Sequence, residues 1–267
     1  MWDKARLRCA CANGFSLKQG GVGKSEAACR VLLKQGSNQE KGEFTMVWGM
    51  HEPNRFGEFW PDVDYVGYVE VLKEWHANMS DAEKAERGMK QRLLLTKVSA
   101  KFTRDLGPLS DPECPKEFKA VKVYKSLGAL IKLNDRMLVV ERKFKDLLEE
   151  LEPGTHQFWP LKIALPRDKV LPGEYFGLRI GQFLDSFDPD QTTSGCVQYQ
   201  NSESFRGILP NKKTITGIAV SKAKVGDAHL WRERKLARPD IFLSNELHQH
   251  AIERGLRLPN HYEMKEV

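Results

Sequence analysis

Two spacings of apolar residues recur along this chain, one typical of helices and the other of strands. A helix is predicted over residues 141–151, where one apolar stripe follows the spacing i, i+3, i+4 and i+7. That stripe consists of Phe144, Leu147, Leu148 and Leu151. Pro153 and Gly154 follow it directly and predict the end of the helix.

Alternation of apolar and polar residues predicts strands elsewhere in the chain. One strand carries Trp159, Leu161, Ile163 and Leu165, and the next carries Phe176, Leu178 and Ile180. Further strands are predicted over residues 92–98, 118–124 and 214–220. Residues 65–75 suit either a strand or a helix, while residues 46–64, rich in aromatics, Pro and Gly, predict an irregular segment that wraps the rest.

Two helix starts are marked by serine. Ser80 and Glu83 have the spacing of a capping box, in which each side chain binds a backbone N–H of the other residue, so a short helix should begin there. Near the C-terminus, residues 240–243 predict a strand, Ser244 the N-cap of a helix and Gly255 its end. A returning strand completes this unit, which spans residues 229–266.

Helices and strands do not alternate regularly enough for a doubly wound sheet. We therefore expect an α+β fold, with a mixed or mostly antiparallel sheet and a few helices packed on it. Residues 107–115 are dense in Pro, Gly and Asp and indicate a boundary between lobes. The expected organisation is a leader over residues 1–45, an N-terminal lobe over 46–118 and a core over 119–267, the lobes forming one domain.

Composition narrows the possible classes of protein. The chain has 267 residues, 40% of them hydrophobic, and can bury a sizeable core. Its net charge is +6, but residues 1–45 hold eight Lys and Arg against four Asp and Glu, so the remainder carries only +2. This balance gives little support for nucleic-acid binding. No apolar run is long enough to cross a membrane, and no secretory signal is visible.

The five cysteines, Cys9, Cys11, Cys29, Cys114 and Cys196, match neither an even disulfide set nor a zinc array. Free thiols in the cytoplasm are the expected state.

A glycine-rich stretch from Gly20 to Ser25 is similar to the end of a phosphate-binding P-loop. The first glycine of the full motif is replaced by Lys18, and no buried apolar strand precedes the stretch. A P-loop ATPase is therefore the alternative function. A second hypothesis is that translation starts at Met46 and that residues 1–45 are an upstream extension.

Five residues are candidates for binding a partner. Asp185, Asp188 and Asp190 form an acidic loop that could face a basic protein surface, although a solvated turn would explain the same residues. Their spacing fits no calcium loop. Trp231 and Arg232 could anchor an interface, although core packing would also explain Trp231.

Neither catalysis nor a cofactor is indicated. No nucleophile elbow and no Cys-His signature is present, and paired carboxylates such as Glu149 and Glu150 suit a solvated helix face. His248 and His250, two apart on a helix, point in different directions and cannot readily share a metal. Together with His261 they are expected at the surface.

Two segments carry a resemblance to a known family. The first is the strand and helix that lead into Glu152-Pro153-Gly154 and His156-Gln157-Phe158-Trp159-Pro160; the second is Leu230-Trp231-Arg232 with the turn at residues 242–244. Over residues 119–267 the chain resembles the immunity-protein family numbered eleven of bacterial polymorphic-toxin systems, first catalogued as a domain of unknown function. The resemblance implies a protein without catalytic residues or cofactors that binds and neutralises a cognate toxin, encoded by a neighbouring gene.

Overall fold

The computed structural model describes residues 46–88, 90–167, 169–171, 173–208 and 217–267. The predicted leader, the stretch from Gly20 to Ser25 and residues 214–216 of a predicted strand lie outside these ranges. Cys9, Cys11 and Cys29 lie outside them as well. The two described cysteines, Cys114 and Cys196, are both free thiols.

The strands of the described residues are β1 (Met46–Met50), β2 (Val63–Tyr65), β3 (Glu117–Ala120), β4 (Leu130–Lys132), β5 (Leu138–Glu141), β6 (Gln157–Leu165), β7 (Lys169–Val170), β8 (Tyr175–Arg179), β9 (Phe183–Leu184), β10 (Phe187–Asp188), β11 (Cys196–Gln198), β12 (Phe205–Gly207), β13 (Ala219–Val220), β14 (Leu230–Glu233), β15 (Leu236–Ala237), β16 (Ile241–Ser244) and β17 (His261–Glu266). The α-helices are α1 (Tyr68–Asn78), α2 (Asp81–Glu86), α3 (Leu94–Ala100), α4 (Arg142–Leu151), α5 (Lys222–Val225) and α6 (Asn245–Glu253). Short 3-10 helices cover Gln91–Leu93, Asp111–Glu113 and Asn134–Arg136.

Most strands belong to two large mixed sheets. Sheet A has the order β10-β13-β17-β1-β16-β14-β9, and sheet B has the order β2-β3-β6-β8-β5-β4, with β7 also paired to β6. A small third sheet has the order β11-β12-β15. Antiparallel pairs predominate in both large sheets, and the parallel pairs are β3 with β6, β13 with β17 and β14 with β9. The predicted α+β class is confirmed.

The two large sheets repeat one arrangement of strands. Starting from β2 in sheet B and from β10 in sheet A, the next five strands pair antiparallel, parallel and then antiparallel three times. In sequence order β2, β3, β4, β5, α4 and β6 correspond to β10, β13, β14, β16, α6 and β17. Strand β1 takes the place in sheet A that β8 takes in sheet B. The similarity between the strand-helix units β5-α4 and β16-α6 thus extends over both halves of the fold.

Helices α4 and α6 pack together where the two repeats meet. The predicted stripe of α4 is confirmed, since Phe144, Leu147 and Leu148 are fully buried. They share one apolar core with Leu247 and Ala251 of α6 and with strands of both sheets. Burial of this shared core helps to hold the repeats together, because both helices and apolar residues of both sheets contribute to it.

The serine caps are also confirmed. The Ser244 hydroxyl accepts a hydrogen bond from the backbone N–H of Leu247 at 3.1 Å. Gly255 follows α6 with a φ of 66°, in the left-handed region that favours glycine. At α2, Ser80 and Glu83 form the predicted capping box. Local signals were sufficient here because each cap is formed within four residues.

Three predicted elements differ from the structure. Residues 92–98, predicted as a strand, form a 3-10 turn and α3, because Leu94 and Val98, one helical turn apart, are buried against α1. Residues 46–64 are not simply irregular, since β1 lies between β16 and β17 in the middle of sheet A. The strand predicted over 118–124 ends at Ala120. Residues 65–75 divide between the two possibilities, β2 and α1.

Candidate partner-binding site

The Glu152 carboxylate lies at the centre of a buried hydrogen-bond cluster. Its Oε2 lies 2.7 Å from Nε2 of His156, and its two oxygens accept the backbone N–H groups of His229 at 2.6 Å and Leu230 at 3.1 Å. The side-chain amide of Gln182 donates a further hydrogen bond. Burial alone would raise the pKa of Glu152, but these hydrogen bonds hold it below its ordinary value.

This Glu152 cluster joins the end of α4 to the start of β14, and therefore one repeat to the other. The corresponding tail after α6 makes the reciprocal connection, since the carbonyl of Arg257 accepts the N–H of Ala129 just before β4. Glu152 and His156, two of the residues that carry the family resemblance, thus have a structural role. They fix the position of the repeat that contains sheet B relative to the repeat that contains sheet A.

Gln157 and Trp159 hold the loop after α3. The Gln157 side chain accepts the N–H of Leu109 and donates to its carbonyl, both at 2.8 Å, while the Trp159 indole N–H donates to Pro115 at 2.8 Å. Residues 105–115 are consequently attached to β6. Within this loop Leu106 is 53% exposed, so a large apolar side chain faces solvent there.

An open pocket lies beside this loop, between α4, the start of β6 and the end of β8. Its volume is about 610 Å³, and we call it the Arg179 pocket. It is lined by Pro108, Lys145, Glu149, Gly154, Thr155, His156, Gln157, Phe158 and Arg179. A pocket of this size accommodates a small molecule or a few side chains of a partner.

The acidic loop, residues 185–190, is firmly held through Ser186 and Phe187, which are buried. Buried Glu233 accepts the N–H groups of Ser186 at 2.8 Å and Phe187 at 3.0 Å, and also the Ser186 hydroxyl at 2.6 Å. Burial raises the pKa of Glu233, and these hydrogen bonds oppose the rise. Asp188 accepts the N–H groups of Asp190 and Gln191 at 3.0 Å each, which closes the turn. Asp188 therefore fits the interpretation as a turn residue.

Asp185 and Asp190 remain exposed to solvent. Asp185 lies 4.0 Å from Arg234, which in turn pairs with Asp105 at 2.6 Å. Asp105 is close enough to Arg179 to raise the pKa of that guanidinium, against the larger effect of burial. The acidic loop and the Arg179 pocket are therefore linked by one line of charged residues.

Comparison with protein families places this arrangement in context. A sequence profile described as "Immunity protein family (Imm11)" matches residues 76–261. The chain belongs to this immunity protein family. The matched region begins earlier than the resemblance seen from residue 119, and it contains the Glu152 cluster, the Arg179 pocket and the acidic loop. A search of curated proteins found no match.

The match does not include residues 20–25, so the nucleotide-binding hypothesis gains no support. In the ranges that the structure describes, no helix of this immunity protein is long and apolar enough to cross a membrane. The same ranges contain no group of three His, Cys, Asp or Glu side chains placed to hold a metal ion.

Trp231 of this immunity protein lies in the core. Its side chain is completely buried, stacks on Phe242 with ring centroids 5.6 Å apart, and donates its indole N–H to Ser186 at 3.1 Å. An anchor residue must be accessible before its partner arrives, and Trp231 is not. Trp231 therefore has the core-packing role that was the alternative interpretation of the sequence.

Arg232 is also buried, with 1% of its surface exposed. It donates to Asp240 at 2.7 Å, and Arg136 bridges the same carboxylate to Glu52. Burial lowers the pKa of Arg232, while Asp240 opposes the decrease. This ion-pair chain connects sheet A with the turn before β5. These contacts give Arg232 a structural role, and its burial argues against a direct contact with a partner.

His248 and His261 form a pair that the spacing along the helix did not predict. His248 occupies the fourth position of α6 and corresponds to Lys145 in α4. The Lys145 ammonium lies 5.2 Å from the centre of the Phe158 ring. His248 instead stacks on Trp48 at 3.8 Å, and its Nε2 lies 2.8 Å from Nε2 of His261. His248 and His261 are therefore partly buried partners, contrary to the expectation of separate surface residues.

The His248 pair should make folding sensitive to acid. Burial, assisted by His261, lowers the pKa of His248 to about 4, so the unfolded chain binds the proton more tightly than the folded protein. Full linkage would lower the free energy of unfolding by about 3 kcal/mol as the pH decreases from about 6.5 to about 4. Because His248 is only partly buried and solvent screens its charge, we expect a fall of about 1–2 kcal/mol. In His248→Phe, which retains a ring against Trp48, this fall should shrink in denaturant titrations at each pH.

Ile252→Ala provides the matched control, since Ile252 lies one turn further along α6, is 54% exposed and does not titrate. Its pH dependence should equal that of the unmodified protein. An undiminished decrease in His248→Phe would show that other groups cause the acid sensitivity.

Proposed function

We propose that this immunity protein binds a cognate toxin domain directly, in the cytoplasm and without catalysis, and neutralises it by covering its active site or substrate channel. The observation that carries the proposal is the rigid acidic loop, placed within the region that matches the family and linked to an open pocket. A binding surface that is ordered before the encounter loses less conformational entropy on association.

The charge pattern indicates what the toxin surface looks like. Asp185 and Asp190 present exposed negative charge, which favours a basic patch on the toxin and speeds association with it. Leu106 adds an exposed apolar contact close to the linking pair of Asp105 and Arg234. The free thiols of Cys114 and Cys196 are consistent with a reducing cytoplasm.

Co-expression is the experiment that tests neutralisation. The toxin gene next to the immunity gene is expressed from an inducible promoter, alone and together with this protein. Growth should stop with the toxin alone and resume with both, and the two proteins should purify as a complex. Continued growth arrest in the presence of well-expressed, folded immunity protein would contradict the proposal.

Charge reversal tests the role of the acidic loop. The double variant Asp185→Lys and Asp190→Lys should lower the association rate constant for the toxin by about tenfold at low salt, because it replaces attraction with repulsion. The difference should diminish as salt screens the charges. Stopped-flow mixing at several salt concentrations measures it.

The control makes the same change of net charge on another surface. Glu74→Lys with Glu86→Lys alters exposed residues of α1 and α2, and it should change the association rate much less. Equal effects of the two double variants would show that only net charge matters and would remove the acidic loop from the interface.

A further inference from the structure

The Arg179 side chain is a buried cation with an unsatisfied hydrogen-bond donor. Only 6% of its surface is exposed, and its Nε has no hydrogen-bond partner among the described residues. Its guanidinium lies 5.6 Å from the centre of the Phe183 ring, and burial lowers its pKa. Arg nevertheless remains protonated in proteins, so a positive charge persists there at neutral pH. A buried cation normally pairs with a carboxylate.

Neighbouring groups do not supply that carboxylate. Asp105 is engaged by Arg234, and nearby Arg232 adds positive charge. Lys145 of α4, which also lines the pocket, lies over aromatic rings, and Glu149 is the one carboxylate among the lining residues in the described structure. The pocket therefore presents two cations against one carboxylate, with the Arg179 donor uncommitted.

We propose that the Arg179 pocket receives the carboxylate of an Asp or Glu side chain of the toxin. The planar guanidinium matches a carboxylate with two parallel hydrogen bonds, and Lys145 supplies a second charge from the pocket wall. The volume of about 610 Å³ exceeds a single carboxylate, so the residues beside it on the toxin enter as well. This inference rests on the proposed function, because it identifies the group that the toxin contributes.

Such a contact would dominate the interface. In the free protein the Arg179 donor is buried and unpaired, so binding satisfies a group that is otherwise left without a partner. Residues of this kind, central and desolvated, are the ones whose removal weakens complexes most. Arg179→Met should accordingly weaken toxin binding by about 30-fold or more.

A peptide titration tests the site without the toxin. The full chain, labelled with ¹⁵N, is titrated with acetyl-Gly-Glu-Gly-amide while the arginine Nε–H signals are recorded. Acetyl-Gly-Gln-Gly-amide, identical except for the charge, serves as the ligand control. The Arg179 signal should move and saturate with the Glu peptide and remain still with the Gln peptide.

Three variants accompany the titration. Arg179→Met should abolish the response, and its apolar chain suits a buried position. Lys145→Gln should weaken binding. Because Lys145 is partly exposed, this variant should fold normally even if the buried Arg179→Met substitution impairs folding. Lys143→Gln changes an exposed residue of the same helix and should leave binding unchanged.

Several results would overturn the inference. These are an Arg179 signal that does not move with the Glu peptide, equal shifts with both peptides, and saturation by inorganic phosphate at lower concentration than by the Glu peptide, which would indicate a site for small free anions. An Arg179→Met variant that binds the toxin with unchanged affinity would overturn it and leave the proposed function intact. Saturable binding of the Glu peptide without any toxin complex would instead contradict the proposed function.

Discussion

Replacing Glu152 by alanine is expected to lower the free energy of unfolding by about 3–5 kcal/mol. The substitution leaves the backbone N–H groups of His229 and Leu230 without acceptors in a buried position and removes the partner of His156. It also opens a cavity where the two repeats meet. Chemical denaturation monitored by circular dichroism measures the loss.

Glu150→Ala is the matched control, because Glu150 lies two positions earlier, is exposed and pairs with Arg254 only at the surface. It should cost less than about 1 kcal/mol. Glu152 also contributes to pH dependence: its folded pKa lies below that of the unfolded chain, so its stabilisation is present above about pH 4.3 and is lost as the pH falls further. A Glu152→Ala protein as stable as Glu150→Ala would mean that the cluster does not hold the repeats together.

Replacing Trp231 by alanine is expected to destabilise the protein by about 3–5 kcal/mol. The side chain is fully buried and stacked on Phe242, so its removal leaves a large cavity against sheet A and takes away the indole N–H that donates to the Ser186 hydroxyl. Trp231→Phe keeps a ring and should cost less. Thermal and denaturant unfolding of both variants provides the comparison.

Tyr199→Ala, at a residue that is 43% exposed, is the control and should remain within about 1 kcal/mol of the unmodified protein. The same experiment separates the two interpretations of Trp231. If Trp231→Ala retained its stability but lost toxin affinity, Trp231 would be an interface anchor and the core assignment would fail.

The elements that could be predicted from sequence are those whose signals are local. The capping box at Ser80, the cap at Ser244 and the stripe of α4 each depend on residues within two helical turns of one another. Strand β1 could not be predicted in this way, because its partners in β16 and β17 lie about two hundred residues further along the chain. Helix α3 was mistaken for a strand because a run of seven residues is too short to distinguish the two periods reliably.

Prediction of the candidate site from sequence was likewise limited to features formed by residues close together in the chain. Asp185 and Asp190 were visible in the sequence as an acidic loop, and their exposure agrees with that reading. Arg179 carried no signal, since an arginine that ends a strand is ordinarily solvated; only the fold shows that its donor is buried and unpaired. Glu152 and His156 were part of a recognisable motif, but their spacing could not reveal that the Glu152 carboxylate accepts backbone N–H groups at the start of β14, far away in the chain.

Equivalent positions in the two repeats carry side chains of different chemistry. At equivalent positions one half places Lys145 over Phe158 beside an open pocket, whereas the other places His248 against Trp48 and His261. The first arrangement leaves a cation facing the pocket, and the second uses its polar groups internally. We therefore expect the half that contains sheet B to contribute the pocket that receives the toxin.

The most direct measurement is calorimetric titration of the purified immunity protein with the catalytic domain of the neighbouring toxin, carried out alongside an assay of the toxin's activity. We expect a one-to-one complex with a dissociation constant in the nanomolar range or below, and loss of toxin activity at the same stoichiometry. Folded protein that produces no heat of binding and leaves the toxin fully active would contradict it.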